Sequence, residues 1–277
     1  MDDANLDAPD AAASLYASRQ VLDHLIEQAD EILGEDLVGA YQVGSFALGG
    51  GDAASDVDFL IVLEHDADHE QEAALRELHA RLPDLPGPWA QHLEGSYAPR
   101  EQLRRPAHPP RAWLYVDNGD RHLQRSTHDD SLATRWVARE HGIILAGPAP
   151  SSLIDPINAE QLRLDALQVL AVWDHDLHAR PDQFQDTWSQ QQHVLGLCRL
   201  LHRSLLGVVT TKVRAGRWAL SALQDRWHPL IEAAIGGRRD GWARLHQPVR
   251  AEGVQATHGF HQHVMARAGL HQTPTRP

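Results

Sequence analysis

Cysteine occurs once, at Cys198, so the chain can build neither an internal disulfide nor a multi-cysteine zinc site. No stretch approaches the roughly 18 uncharged apolar residues needed to span a membrane. Met1-Asp2-Asp3-Ala4 is acidic where a signal or transit peptide would be basic. A cytoplasmic protein without a membrane partner is expected. Positive charge is also short, with 25 basic against 38 acidic residues and a net charge of −13. That balance disfavours a nucleic-acid partner, because such affinity comes largely from Lys and Arg contacts to phosphate. Lysine is nearly missing: 24 of the 25 basic residues are Arg, and Lys212 stands alone. An ammonium is a compact point charge and a guanidinium a broad planar fork, so an Arg-rich chain that keeps one Lys marks that position for attention.

What is present is ample for a folded protein of one or two domains, with 277 residues and 42% hydrophobic side chains. Charge divides at the Pro-rich stretch from Gly147 to Pro156. Residues 1–156 hold 11 basic and 28 acidic groups, a balance of −17, and residues 157–277 hold 14 and 10, a balance of +4. A boundary near Pro156 follows. Most of the acidic groups around Glu64 to Glu77 are read as a solvated face.

In the first part, Leu22, Leu25, Ile26, Ala29, Ile32 and Leu33 carry the spacing of a helix that ends near Gly34. Leu37 to Val43 and Val57 to Leu63 read as buried strands around the turn Gly49-Gly50-Gly51. Residues 68–82 read as a charged amphipathic helix. Trp89 to Tyr97 alternates like a strand with His92, Glu94 and Ser96 on one face, and a further strand covers Ala112 to Val116. Past Pro156 only helical periods remain, including Val194 to Leu206 and the series Leu220, Leu223, Trp227, Leu230 and Ile231. Gln272 to Pro277 reads as a frayed polar tail.

The chemistry concentrates in Val43-Gly44-Ser45 and, ten residues later, Asp56-Val57-Asp58-Phe59. Strand side chains alternate, so Asp56 and Asp58 share a face, where two anions repel unless a cation sits between them. Hard oxygen ligands of this kind suit Mg²⁺, which takes one or two carboxylates together with substrate phosphates. Ser45, opening a turn after Gly44, offers a hydroxyl and backbone N–H groups to a terminal phosphate. Glu94 completes the set if its strand lies beside the one bearing Asp58; otherwise it is an ordinary solvent-facing strand residue. Three carboxylates so arranged would hold metal and deprotonate a hydroxyl for phosphoryl or nucleotidyl transfer.

Gly44-Ser45 and Asp56-Val57-Asp58 resemble the signature of the nucleotidyltransferase superfamily related to DNA polymerase β. Ser45-Phe46-Ala47-Leu48-Gly49-Gly50, Leu93-Glu94-Gly95-Ser96-Tyr97, Val194-Leu195-Gly196-Leu197-Cys198-Arg199, Thr211-Lys212 and Arg217-Trp218-Ala219 narrow it. They resemble the aminoglycoside adenylyltransferases acting on streptomycin and spectinomycin, over roughly residues 35 to 235. The resemblance implies an α+β chain. A nucleotidyltransferase domain with a mixed sheet and flanking helices (1–156) would precede an all-α helical bundle (157–277) that completes the ATP and acceptor cleft. It implies a monomer that moves AMP from ATP and Mg²⁺ to a drug hydroxyl and confers antibiotic resistance, with small molecules as its only partners. Residue by residue, it gives Asp56 and Asp58 to the metal, and Glu94 to metal and base. Gly44, Ser45, Arg199 and Lys212 go to the nucleotide. The acceptor falls to Trp173, Asp186, Trp188, Gln190 and His193. The family has an acidic residue where this chain has Gln190, which argues against streptomycin and leaves a compact aminocyclitol such as spectinomycin, or an unidentified amino sugar. A nucleotide-binding sensor or antitoxin-like protein, or a protein-AMPylating enzyme of the same fold, is the alternative.

Nineteen histidines, among them His175 and His178 around Asp176 and the group His258, His261 and His263, lack any HExxH pattern or partner Cys. Most are read as surface or capping residues. Cys198, inside an apolar helical run, is read as a buried inert thiol, and most of the eight Trp residues as packing.

Overall fold

The computed structural model describes residues 8–52, 54–87, 89–238 and 247–270, with side chains from Leu15 onward. The tail from Gln272 lies outside them. The chain divides into two compact units between Pro156 and Ile157. No helix among the described residues is long and apolar enough to cross a membrane.

The first unit opens with α1 (Ala8–Leu33), which buries Leu22, Leu25, Ala29 and Leu33 and stops at Gly34 in the left-handed region at φ +55°. Then come β1 (Leu37–Gln42), the single turn α2 (Gly44–Ala47) and β2 (Val57–Leu63). Helix α3 (His69–Arg81) starts on a capping box in which Asp68 and Gln71 satisfy each other's backbone N–H groups. The remainder is β3 (Leu93–Pro99), α4 (Arg100–Arg104), β4 (Trp113–Val116), β5 (Gln124–Ser126), α5 (Leu132–His141) and β6 (Ile143–Ala146). The six strands form one mixed sheet in the order β5-β4-β3-β2-β1-β6, and only β2 and β3 run parallel. A parallel neighbour requires a crossover, and α3 supplies it.

The core lies where α1 and α3 cover the sheet, with Phe59, Ile61, Tyr97 and Leu114 facing Leu22, Leu25 and Leu75. His79 of α3 is buried there, and its Nε2 is hydrogen-bonded to the Tyr97 hydroxyl at 2.8 Å. Burial pushes the His79 ring down to about 3, so the native protein holds it neutral while the unfolded chain protonates near 6.5. The stabilisation is therefore full above pH 6.5 and falls away as pH drops toward 3. Going from pH 7 to 5 is expected to cost about 2 kcal/mol through this ring. Urea unfolding at both pH values would read it; an equal loss in His79→Gln would exclude this ring as the cause.

Several features of this unit depart from the sequence expectation. Residues Trp89–His92 form a 3₁₀ turn, so β3 begins only at Leu93 and His92 lies off the strand, with Nδ1 bonded to Asn118 at 3.1 Å. Asp56 immediately precedes β2 instead of lying in it. Helix α5 was not foreseen because its buried face includes Arg135. That guanidinium is fully buried, donates to the Leu103 carbonyl at 2.8 Å, pairs with Asp130 and lies 5.1 Å over the Trp113 ring.

The second unit is helical: α6 (Ala159–Ala179), α7 (Thr187–Leu206), α8 (Lys212–Ala222), α9 (His228–Gly237) and α10 (Ala251–Arg267). Helix α7 is its centre, burying Val194, Leu195, Leu197, Cys198 and Leu201 against Ala215, Ile231 and Phe260. The apolar series from Leu220 to Ile231, read as one helical period, is split: α8 ends at Ala222 and a 3₁₀ turn at Asp225–Trp227 precedes α9. Cys198 is buried, and burial pushes its thiol up to about 12, which suits the inert role expected of it.

Candidate functional site

Strand pairing builds the acidic centre. Residues β2 and β3 pair in parallel with Asp58 opposite Glu94, so carboxylates far apart in the chain come to one register position. Gly95 makes this approach possible: a Cβ there would lie 2.1 Å from the Phe59 carbonyl oxygen. The loop before β2 is shaped by Asp52, whose carboxylate accepts from the Ala54 N–H at 3.1 Å and the Ser55 hydroxyl at 2.8 Å. It delivers Asp56 near enough to act electrostatically on Glu94.

Gly44 closes the centre from β1. Its φ is +63°, and a Cβ would sit 1.9 Å from Asp58 Oδ2, so the backbone lies directly on that carboxylate. The Val43 N–H donates to the Asp58 carbonyl at 3.0 Å and ties the two strand ends together. Ser45 follows, its Oγ buried and without a hydrogen-bond partner among the described residues.

Glu94 is mostly buried, and burial, followed by the negative charge of Asp56, pushes its carboxyl up to about 7. His128 and the Tyr115 hydroxyl oppose that rise. Tyr115 donates to Glu94 Oε1 at 2.9 Å, and His128 Nε2 lies 3.4 Å from the same oxygen while its ring stacks on Tyr115 at 5.2 Å. Below them Asp129 accepts from the Ser96 hydroxyl at 2.7 Å, and burial raises its carboxyl too. Tyr115, His128 and Asp129 were missed in the sequence. They come from β4 and the segment after β5, and no local pattern marks them.

A concentration of carboxylates around an acceptor-only oxygen set is chemically suited to a hard cation. Among the described residues no three His, Cys, Asp or Glu side chains form a ready-made metal cage. A set of this kind fits a cation that takes part of its shell from phosphate oxygens, and the unpartnered Ser45 Oγ fits a ligand that accepts a hydrogen bond.

In the helical unit, Arg199 lies on α7 and Lys212 is the first residue of α8, behind the Thr211 cap. Asp186 caps α7, accepting from the Ser189 N–H at 2.8 Å and the Ser189 hydroxyl at 2.6 Å. The Gln190 amide bridges to α10, donating at 2.9 Å to both the Gly253 carbonyl and the Thr257 hydroxyl. Trp188 is exposed at the start of α7. Trp173 and His193 stack with ring centroids 5.1 Å apart. Of the histidines, His79 and His261 depart from the surface reading, both being buried.

Residues 22–111 match the family model of the nucleotidyltransferase domain, and residues 152–257 that of the aminoglycoside adenylyltransferase C-terminal domain. A spectinomycin 9-adenylyltransferase of Staphylococcus aureus is 26% identical over 238 residues, covering 80% of this chain and 86% of the relative. An aminoglycoside (3'') (9) adenylyltransferase of Escherichia coli is 29% identical over 123 residues, 43% of this chain and 44% of its own. Among solved structures, a spectinomycin adenyltransferase from Enterococcus faecialis, crystallised with ATP and spectinomycin, superposes with a TM-score of 0.66. It is 15% identical, and the match covers 90% of this chain and 98% of that one, a likeness of fold. The acidic centre of β2 and β3 thus falls within the nucleotidyltransferase match and α6 to α9 within the second, and these matches with the named relatives support an aminoglycoside adenylyltransferase of the nucleotidyltransferase superfamily.

Proposed function

We propose that the protein transfers AMP from ATP, with Mg²⁺, to a hydroxyl of a spectinomycin-type aminocyclitol and releases pyrophosphate. The observation that carries this reading is Glu94 set opposite Asp58 and beside Asp56, with an elevated proton affinity suited to a base. Asp56, Asp58 and Glu94 would hold the cation, which when bound neutralises charge on the phosphates. Glu94 takes the proton of the acceptor hydroxyl as its oxygen attacks the α-phosphorus. The bond from that phosphorus to the β-phosphate oxygen breaks, and pyrophosphate leaves. Tyr115, donating to Oε1, fixes the orientation of the carboxylate. Gly44 gives the backbone close access, and the Ser45 hydroxyl binds a phosphate oxygen.

Arg199 and Lys212 belong to the same reading as triphosphate contacts. Lys212→Ala is expected to weaken ATP binding, and unchanged ATP affinity would remove that role. For the acceptor, the relative matched over most of its length is named for spectinomycin. The side chain at 190 is a neutral amide already engaged with α10, which supports a compact aminocyclitol over streptomycin.

The test is pyrophosphate release from ATP and Mg²⁺ with spectinomycin, streptomycin and kanamycin in separate reactions, beside an Asp58→Asn control. Release with spectinomycin that the control abolishes is expected. ATP binding without release on any drug would overturn this reading in favour of a nucleotide sensor or a protein-AMPylating enzyme.

A further inference from the structure

Three helices of the second unit each contribute one residue to a partly buried polar chain, with His261 at its centre fully buried. His193 of α7 meets His261 of α10 between Nε2 and Nδ1 at 3.0 Å, and His261 Nε2 meets Asp174 Oδ1 of α6 at 3.1 Å. The chain is packed in aromatic surroundings. The His193 ring lies parallel to His261 at 5.2 Å, against Phe184 at 4.2 Å and under Trp173. Gly196, one turn along α7, leaves the space that Trp173 fills: a Cβ there would be 2.4 Å from its ring.

The order of protons along the chain follows from the chemistry of its end. A carboxylate only accepts, so His261 carries its proton on Nε2. A neutral imidazole has one N–H, so His261 Nδ1 is a lone pair and accepts from His193 Nε2–H. His193 is thereby left with a lone pair on Nδ1, which has no hydrogen-bond partner among the described residues. Burial keeps both rings neutral, pushing His193 down to about 3 and lowering His261 despite Asp174. The other titratable groups around them are His178 of α6, with Nδ1 3.7 Å from Asp174 Oδ2, and His258 of α10, bonded to the Pro181 carbonyl at 2.8 Å.

We infer that Asp174 and His261 are positioning residues that lock His193 as a hydrogen-bond acceptor at Nδ1, so that this position selects a hydroxyl or ammonium donor on the acceptor molecule. The inference rests on the acceptor reading given above for what binds, and on the geometry alone for the lock. A side chain in the other tautomer would present N–H and repel the same donor, so the lock acts on specificity and not on the transfer step.

Long-range ¹H–¹⁵N spectra of the imidazole nitrogens test the lock directly in the full-length protein. The signals of the two rings are assigned by their loss in His193→Gln and His261→Asn. Both rings are expected in the Nε2–H form in the wild type. In Asp174→Leu, which keeps a side chain of similar size and removes the acceptor at the end of the chain, the rings are expected to lose that single form. The KM for spectinomycin should rise roughly tenfold, the worth of one hydrogen bond, with kcat and ATP affinity unchanged. Rings in the Nδ1–H form in the wild type, or an Asp174→Leu protein with wild-type spectra and KM, would overturn the inference. Nε2–H rings in a protein that binds no spectinomycin would keep the lock and overturn the acceptor reading instead.

Discussion

Replacing Glu94 with Gln is expected to lower turnover by about 10²–10⁴-fold, the contribution of a positioned general base, while ATP still binds. Gln matches the shape of Glu and can still accept from the Tyr115 hydroxyl, so the carboxylate's neighbours stay in place. What it loses is the capacity to take a proton. The fold should not suffer, because a buried carboxylate raised by desolvation and by Asp56 is a cost to the native state, and a neutral amide removes it. A melting temperature at or above the wild-type value, with pyrophosphate release nearly abolished and ATP affinity retained, is the expected combination. Full activity would remove Glu94 as the base.

Gly44→Ala is the second substitution with a large expected effect, and it works through the backbone. The residue sits at φ +63°, where an L side chain costs about 1–2 kcal/mol, and the added methyl would stand 1.9 Å from Asp58 Oδ2. The carboxylate has to move. A displacement of about 1 Å in a reacting geometry costs on the order of 10² in rate. The expected result is a modest loss of stability with a loss of at least that size in turnover. Gly236→Ala in α9 is the matched control, since nothing lies within 4 Å of its Cβ position and φ is not positive there. Gly44→Ala with wild-type turnover would show that Asp58 need not stay where Gly44 holds it.

Strands β1 and β2 and helices α1 and α3 were legible because each buries one periodic face whose neighbours in the chain report it. The pair Asp56 and Asp58 was legible for a similar reason: carboxylates at the start of an apolar strand run against strand composition. Glu94 was legible only conditionally, since its meeting with Asp58 depends on which strands pair. The edge strand β5 is short and largely exposed, with no apolar alternation to detect. Helix α5 hides behind a buried ion pair, and the break between α8 and α9 behind an unbroken apolar spacing. The Asp174, His261 and His193 chain was invisible, because its members are brought together by helix packing alone.

The pairing of β2 with β3 also says where the chain tolerates insertion and deletion. Glu94 reaches Asp58 through hydrogen-bonded register, so the crossover between β2 and β3 can change length without disturbing their meeting. One residue added inside β3 upstream of Glu94 would instead turn that side chain to the opposite face of the sheet.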